Sequence, residues 1–120
     1  MGQLTTHVLD TANGRPAAGV RIRLYVLAED ASKNRRFLRE STTNTDGRCD
    51  APLLDGESFK AGRYEIVFGA GAYFAALGAA LPQPAFVGDV VLRFGIADAA
   101  QHYHVPLLVS PWSWSTYRGS

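Results

Sequence analysis

From residue 20 to residue 26 apolar and polar side chains alternate strictly: Val20, Ile22, Leu24 and Val26 fall on one side, Arg21, Arg23 and Tyr25 on the other. A period of two is that of a half-buried strand, whose successive side chains point to opposite faces. Runs of strand length rich in β-branched and aromatic residues recur at 4–9, 37–43, 63–68, 90–94, 103–109 and 112–117. Turn-forming pairs and glycines separate them: Asn13-Gly14, Asp46-Gly47, Asp55-Gly56, Gly62, Gly88 and Ser110-Pro111. Short strands so closely punctuated predict an all-β sandwich of two sheets. The one helical candidate is the alanine-rich stretch 72–77, where Tyr73 and Leu77 stand four apart on one side of a short surface helix. There is no internal repeat or linker, so residues 1–120 are expected to form a single domain.

Composition narrows the classes. Apolar residues make up 47% of the 120 and charged ones 19%, enough to drive collapse around one core. A net charge of +1 supplies no field that would gather polyanions, so neither nucleic acid nor a membrane surface is expected as a partner. Cys49 is the only cysteine, which excludes an intrachain disulfide and fits a reducing compartment. The opening residues have neither a basic start nor an apolar run, and no stretch approaches the ~20 apolar residues that span a bilayer. A cytoplasmic location is therefore expected. Ten of the twelve basic residues are arginine. The guanidinium fork suits planar oxygen-rich ligands, although an arginine-rich genome gives the same bias.

The chemistry-bearing residues are few. His7, His102 and His104 titrate near neutrality and are first choices for acid–base work. His102 and His104 would share one strand face about 7 Å apart. That spacing suits a metal, but the chain lacks a cysteine cluster, an HExxH and a second histidine pair, so no metal is expected; the plainer reading leaves one of the pair solvated at a strand end. Neither a GxSxG nor a phosphate-binding glycine loop is present, and Cys49 has no catalytic sequence context, which favours activated water over a covalent nucleophile. Arg35, Arg36 and Arg39 read as a solvated strand edge. Trp112 and Trp114 alternate with Ser113 and Ser115, and the aromatic side is expected to fill the core or, failing that, to pack a partner.

Three further segments carry a specific resemblance. The opening Thr6-His7-Val8-Leu9-Asp10-Thr11 with Gly14-Arg15-Pro16-Ala17, the middle Thr43-Asn44-Thr45-Asp46-Gly47-Arg48, and the close from His102-Tyr103-His104-Val105-Pro106 to Tyr117-Arg118-Gly119-Ser120 resemble the 5-hydroxyisourate hydrolases, which belong with the transthyretin-like proteins. The motifs span nearly the whole chain; 28–36 and 69–88 match less well. The final Tyr-Arg-Gly-Ser is the most discriminating, because the carrier transthyretin shares the fold and lacks it. The resemblance implies a transthyretin-like sandwich of two four-stranded antiparallel sheets. It also implies a homotetramer, a dimer of dimers whose active sites lie in a central channel.

The implied reaction hydrolyses 5-hydroxyisourate to 2-oxo-4-hydroxy-4-carboxy-5-ureidoimidazoline in urate breakdown, without a cofactor. The catalytic set that the resemblance transfers is His7, Arg48 and His104, with Tyr117, Arg118, Gly119 and Ser120 binding substrate. In such a reaction His104 would activate water, His7 would orient it or pass a proton, and Arg48 and Arg118 would clamp the substrate oxygens. The two histidine roles could be exchanged. The alternative is a transthyretin-like carrier of a small molecule without chemistry, which two imidazoles and two guanidinium groups around one ligand argue against. A noncatalytic β-sandwich interaction module is permitted by the all-β pattern alone.

Overall fold

The computed structural model describes residues 2–28 and 34–120; part of the 28–36 loop lies outside the described residues. Among the described residues nine strands run in chain order: β1 (Gln3–Asp10), β2 (Arg15–Pro16), β3 (Arg21–Leu27), β4 (Arg35–Thr42), β5 (Leu54–Asp55), β6 (Gly62–Phe68), β7 (Val90–Ile96), β8 (Tyr103–Val109) and β9 (Trp114–Thr116). All seven expected strands are present within a few residues of their anticipated bounds. Among the described residues the single α-helix, α1 (Ala70–Ala76), begins two residues earlier than expected. Among the described residues no helix is long and apolar enough to cross a membrane.

The strands form two sheets, giving the expected all-β sandwich. One is antiparallel in the order β4-β3-β6-β7. The other has five strands in the order β2-β1-β8-β9, with β5 also on β1. It departs from the expected four antiparallel strands in two ways. The two-residue strands β2 and β5 cap different ends of the same β1 edge and are too short to produce any periodicity. At the centre, β1 and β8 run parallel, from Leu4 opposite Tyr103 to Asp10 opposite Val109. Alternation reports which face a residue occupies but not the direction of its neighbour.

Alternation then separates core from surface. On β1, Leu4, Thr6, Val8 and Asp10 are buried, while Gln3, Thr5, His7 and Leu9 are half-buried on the outer face. The inner residues meet Ile22, Leu24, Ile66, Phe68, Val105 and Leu107 in one core. The helix contributes more than surface cover: Ala70, Tyr73 and Phe74 are buried, and the Tyr73 hydroxyl donates to Asp10 Oδ2 at 2.8 Å. Leu77, the expected partner of Tyr73, is exposed.

Two sequence readings are revised. Trp112 and Trp114 do not fill the core, being 58% and 44% exposed. Trp114 does point to the inner side opposite Val109, but β9 is the last strand of its sheet, and Trp112 lies tilted against the still more exposed Phe86. Arg35 is more than a solvated edge residue. With Arg93 it brackets the buried Glu65 carboxylate, against which the Arg93 Nε lies at 2.9 Å. Burial pushes the Glu65 carboxyl up, and the two guanidinium groups outweigh it, leaving the group below its ordinary range.

Leu24 lies fully buried at the centre of the antiparallel sheet. Leu24→Ala should lower unfolding free energy by about 2–5 kcal/mol, measured as a shift in the denaturant midpoint with an unchanged slope.

Candidate active site

The site is assembled on the outer face of the mixed sheet by three neighbouring lanes of chain. At its centre the parallel β1–β8 register sets Thr5 opposite His104 and His7 opposite Pro106. The Thr5 hydroxyl lies 2.8 Å from His104 Nδ1 and 3.3 Å from His102 Nε2.

Beyond β1, the 44–48 turn supplies the second lane. Asn44 Oδ1 accepts from the amides of Asp46 and Arg48 at 2.9 and 3.2 Å, an Asx-type turn that brings the chain back on itself. Gly47 then passes against β1, its carbonyl accepting from the Val8 amide at 2.8 Å. It needs to be glycine twice over: its φ is +76°, and a Cβ would stand 2.4 Å from the Val8 carbonyl oxygen. The turn pairs Arg48 with His7 across a single β-bridge. His7 Nε2 lies 2.8 Å from the Asp46 carbonyl oxygen. A carbonyl can only accept, so Nε2 carries the proton and the lone pair of neutral His7 sits on Nδ1.

The third lane is the tail, which returns along the far side of β8. Gly119 exchanges two backbone hydrogen bonds with His104, at 2.7 and 3.2 Å. Arg118 donates to Gln101 Oε1 at 3.0 Å and to the His102 carbonyl at 3.1 Å, and its guanidinium stacks 4.2 Å above the Tyr103 ring. Ser120 thereby reaches a pocket of about 480 Å³, also lined by Thr5, Arg48, Cys49, His102 and His104.

Of the expected site residues, Arg48, His104 and Ser120 line this pocket directly, and His7 stands at its side through Arg48. Tyr117 is exposed, and Arg118 and Gly119 are occupied in holding the tail within the protomer. Gln3, Thr5 and Cys49 line the pocket without having been singled out as site residues, and so does His102, weighed only as one of the three acid–base candidates and as half of a metal pair. For Gln3 and Thr5 the signal was available, since residues two and four before His7 share its strand face.

Burial, followed by the positive charge of Arg48 and the His7 and His102 imidazoles, holds His104 below its ordinary value of 6.5. It is a neutral imidazole at pH 7. Burial pushes the Cys49 thiol up, so this pocket residue stays protonated and is a poor nucleophile. Among the described residues, no group of three or more His, Cys, Asp or Glu side chains gathers to hold a metal ion.

A polar cleft of this kind on a sandwich of this topology defines a class, and comparison with known proteins agrees. The model of the HIUase/Transthyretin family matches residues 4–119. The 5-hydroxyisourate hydrolase 2 of Rhizobium meliloti is 60% identical over 99% of this chain and 97% of its own length. The 5-hydroxyisourate hydrolase of Ralstonia nicotianae is 57% identical over the full length of both. Among solved structures, an (S)-allantoin synthase superposes with a TM-score of 0.92 at 49% identity; the match covers 99% of this chain but 44% of that one. The Klebsiella pneumoniae 5-hydroxyisourate hydrolase matches over all of both chains with a TM-score of 0.80 at 35% identity. Sea bream transthyretin, solved with thyroxine, gives 0.85 at 25% identity over 98% of this chain and 94% of its own. The chain belongs to the HIUase/Transthyretin family.

The Gly47 geometry yields a direct test. Gly47→Ala should cost at least about 1–3 kcal/mol, because both φ and the Val8 carbonyl oppose the new methyl. A protein of unchanged Tm would show that the 44–48 turn tolerates displacement.

Proposed function

We infer that this chain hydrolyses 5-hydroxyisourate to 2-oxo-4-hydroxy-4-carboxy-5-ureidoimidazoline, a step of urate breakdown in which water opens a ring amide. The observation that carries this reading is a neutral, half-buried imidazole, His104, beside a permanent cation, Arg48, in one polar pocket. Full-length relatives that bear the hydrolase name support it. Water attack on an amide needs a base for the water, a cation for the developing oxyanion and a proton for the departing nitrogen.

In this reading His104 takes the proton from water. Its Nδ1 is engaged by Thr5, so the working nitrogen is Nε2. Arg48 binds the substrate carbonyl and stabilises the tetrahedral oxyanion. His7, held by Asp46, orients the water or passes the proton to the leaving nitrogen. Ser120 adds a hydrogen bond to the ring. Arg118 and Gly119 act on substrate through the tail they fix, with Tyr117 beside them at the rim. The polar and charged lining argues against the carrier alternative, which calls for mainly apolar walls.

Assembly as a homotetramer, two dimers face to face, would cover the half-buried outer face of β1 and β8 and enclose the pocket between subunits. The chain would work as one domain in the cytoplasm, where an unpaired Cys49 persists as a thiol.

Mixing the protein with freshly generated 5-hydroxyisourate and following ultraviolet absorbance tests the activity; no acceleration over spontaneous decay would refute it. His104→Asn should lower kcat/KM by about 10²–10⁴-fold. Because burial and the Arg48 charge hold His104 below its ordinary value of 6.5, the acid limb of kcat/KM should have its midpoint below pH 6.5. Arg48→Met removes a charge that disfavours the imidazolium, so this limb should move to higher pH, with kcat/KM lower by about 10²–10³-fold. Deleting residues 117–120 should reduce turnover by about 10²-fold or more while size-exclusion chromatography still reports the folded oligomer. Full activity in the truncated protein would show the tail to be dispensable.

A further inference from the structure

We propose that Thr5 is a positioning residue that fixes the tautomer of His104, as the middle member of a directed hydrogen-bond chain ending on His102. The proposal rests on the hydrolytic reading of the site and adds a part to it.

The argument starts from one oxygen between two rings. Thr5 Oγ1 lies 2.8 Å from His104 Nδ1 and 3.3 Å from His102 Nε2. A hydroxyl has one proton to donate and lone pairs with which to accept. If His104 works as a base through Nε2, that nitrogen must hold the lone pair, and the ring's single proton is then on Nδ1. Nδ1–H donates to Thr5, and the hydroxyl proton is left for His102 Nε2. All three groups are satisfied in that direction, and only that direction leaves His104 competent. In the reverse direction His102 Nε2–H donates to Thr5, Thr5 donates to Nδ1, and Nε2 of His104 is blocked by its own proton.

The geometry is well suited to this task. Register sets Thr5 directly opposite His104, so the hydroxyl meets the ring edge without a flexible linker. Thr is also β-branched, which limits the side-chain rotamers that Oγ1 can explore. The far end of the chain is tied down as well, since the His102 carbonyl accepts from Arg118. The groups facing His104 are Arg48 from the 44–48 turn, His7 and Thr5 from β1, His102 before β8, and Ser120 from the tail. None of the charged ones among them donates to or accepts from its Nδ1, which leaves the tautomer to Thr5.

Histidine 15N shifts of the full-length protein near pH 7.5 read the tautomer without reference to catalysis. The expected result is a protonated Nδ1 and an unprotonated Nε2 on His104. In Thr5→Val, of nearly the same shape, the Nε2–H form should grow, and kcat should fall by about 10–100-fold with KM little changed. Thr5→Ser, which keeps the hydroxyl, should restore kcat to within about twofold. An Nε2–H tautomer in the wild-type protein overturns the proposal, as does a Thr5→Val protein with wild-type kcat. Should Thr5→Val fail to fold, the wild-type spectrum and Thr5→Ser still decide. A wild-type protein with the expected tautomer but no turnover of 5-hydroxyisourate would overturn the functional reading and leave the hydrogen-bond assignment standing.

Discussion

The parallel contact between the first and eighth strands is the constraint on which the rest depends. It is the only parallel pair among the described strands, and its register decides which residues from distant parts of the chain become neighbours. A slip by one residue would turn Thr5 and His7 into the core and bring Leu4 and Thr6 to the surface. The apolar residues on the inner face therefore enforce the alignment of the polar ones outside. The Arg48 turn and the tail are secondary to this pair: each hydrogen-bonds to one outer flank of it, the turn through Gly47 and the tail through Gly119.

A sandwich of this topology is compatible with more than one task, as a likeness to a thyroxine-complexed transthyretin indicates. What distinguishes the present chain is the chemistry on one sheet face. Burial and nearby positive charge hold His104 below its ordinary value, while Arg48 brings a guanidinium to the same cleft. In the proposed reaction a neutral acceptor and a cation in one cleft would answer the two demands of amide hydrolysis, accepting a proton and stabilising negative charge. Cys49, in the same cleft, is kept inert by the same burial.

Much of this was legible in the sequence, for identifiable reasons. Strict alternation in β3 and the turn pairs around it announced strands, and the His7, Arg48 and His104 motifs named residues that the fold gathers around one pocket. The direction of β8 relative to β1 was hidden, because a period of two is the same in parallel and antiparallel pairs. Strands β2 and β5 were hidden by brevity, since two residues have no period. The tryptophans misled because burial at a sheet edge depends on what faces it, which no local pattern records. Thr5 looked like any outward-facing polar strand residue; its meaning comes from His104, 99 positions away.

That separation has a consequence during synthesis. Strand β1 is synthesised with five apolar or buried positions and an unpaired backbone edge, and its parallel neighbour follows only after some 99 further residues. At about 5–20 residues per second, the strand waits roughly 5–20 s for its partner. Through that interval the nascent chain presents a sticky, hydrogen-bond-hungry segment to every other polypeptide nearby. The central pairing that gives the mature protein its order is thus also among the slowest to become available as the chain is made.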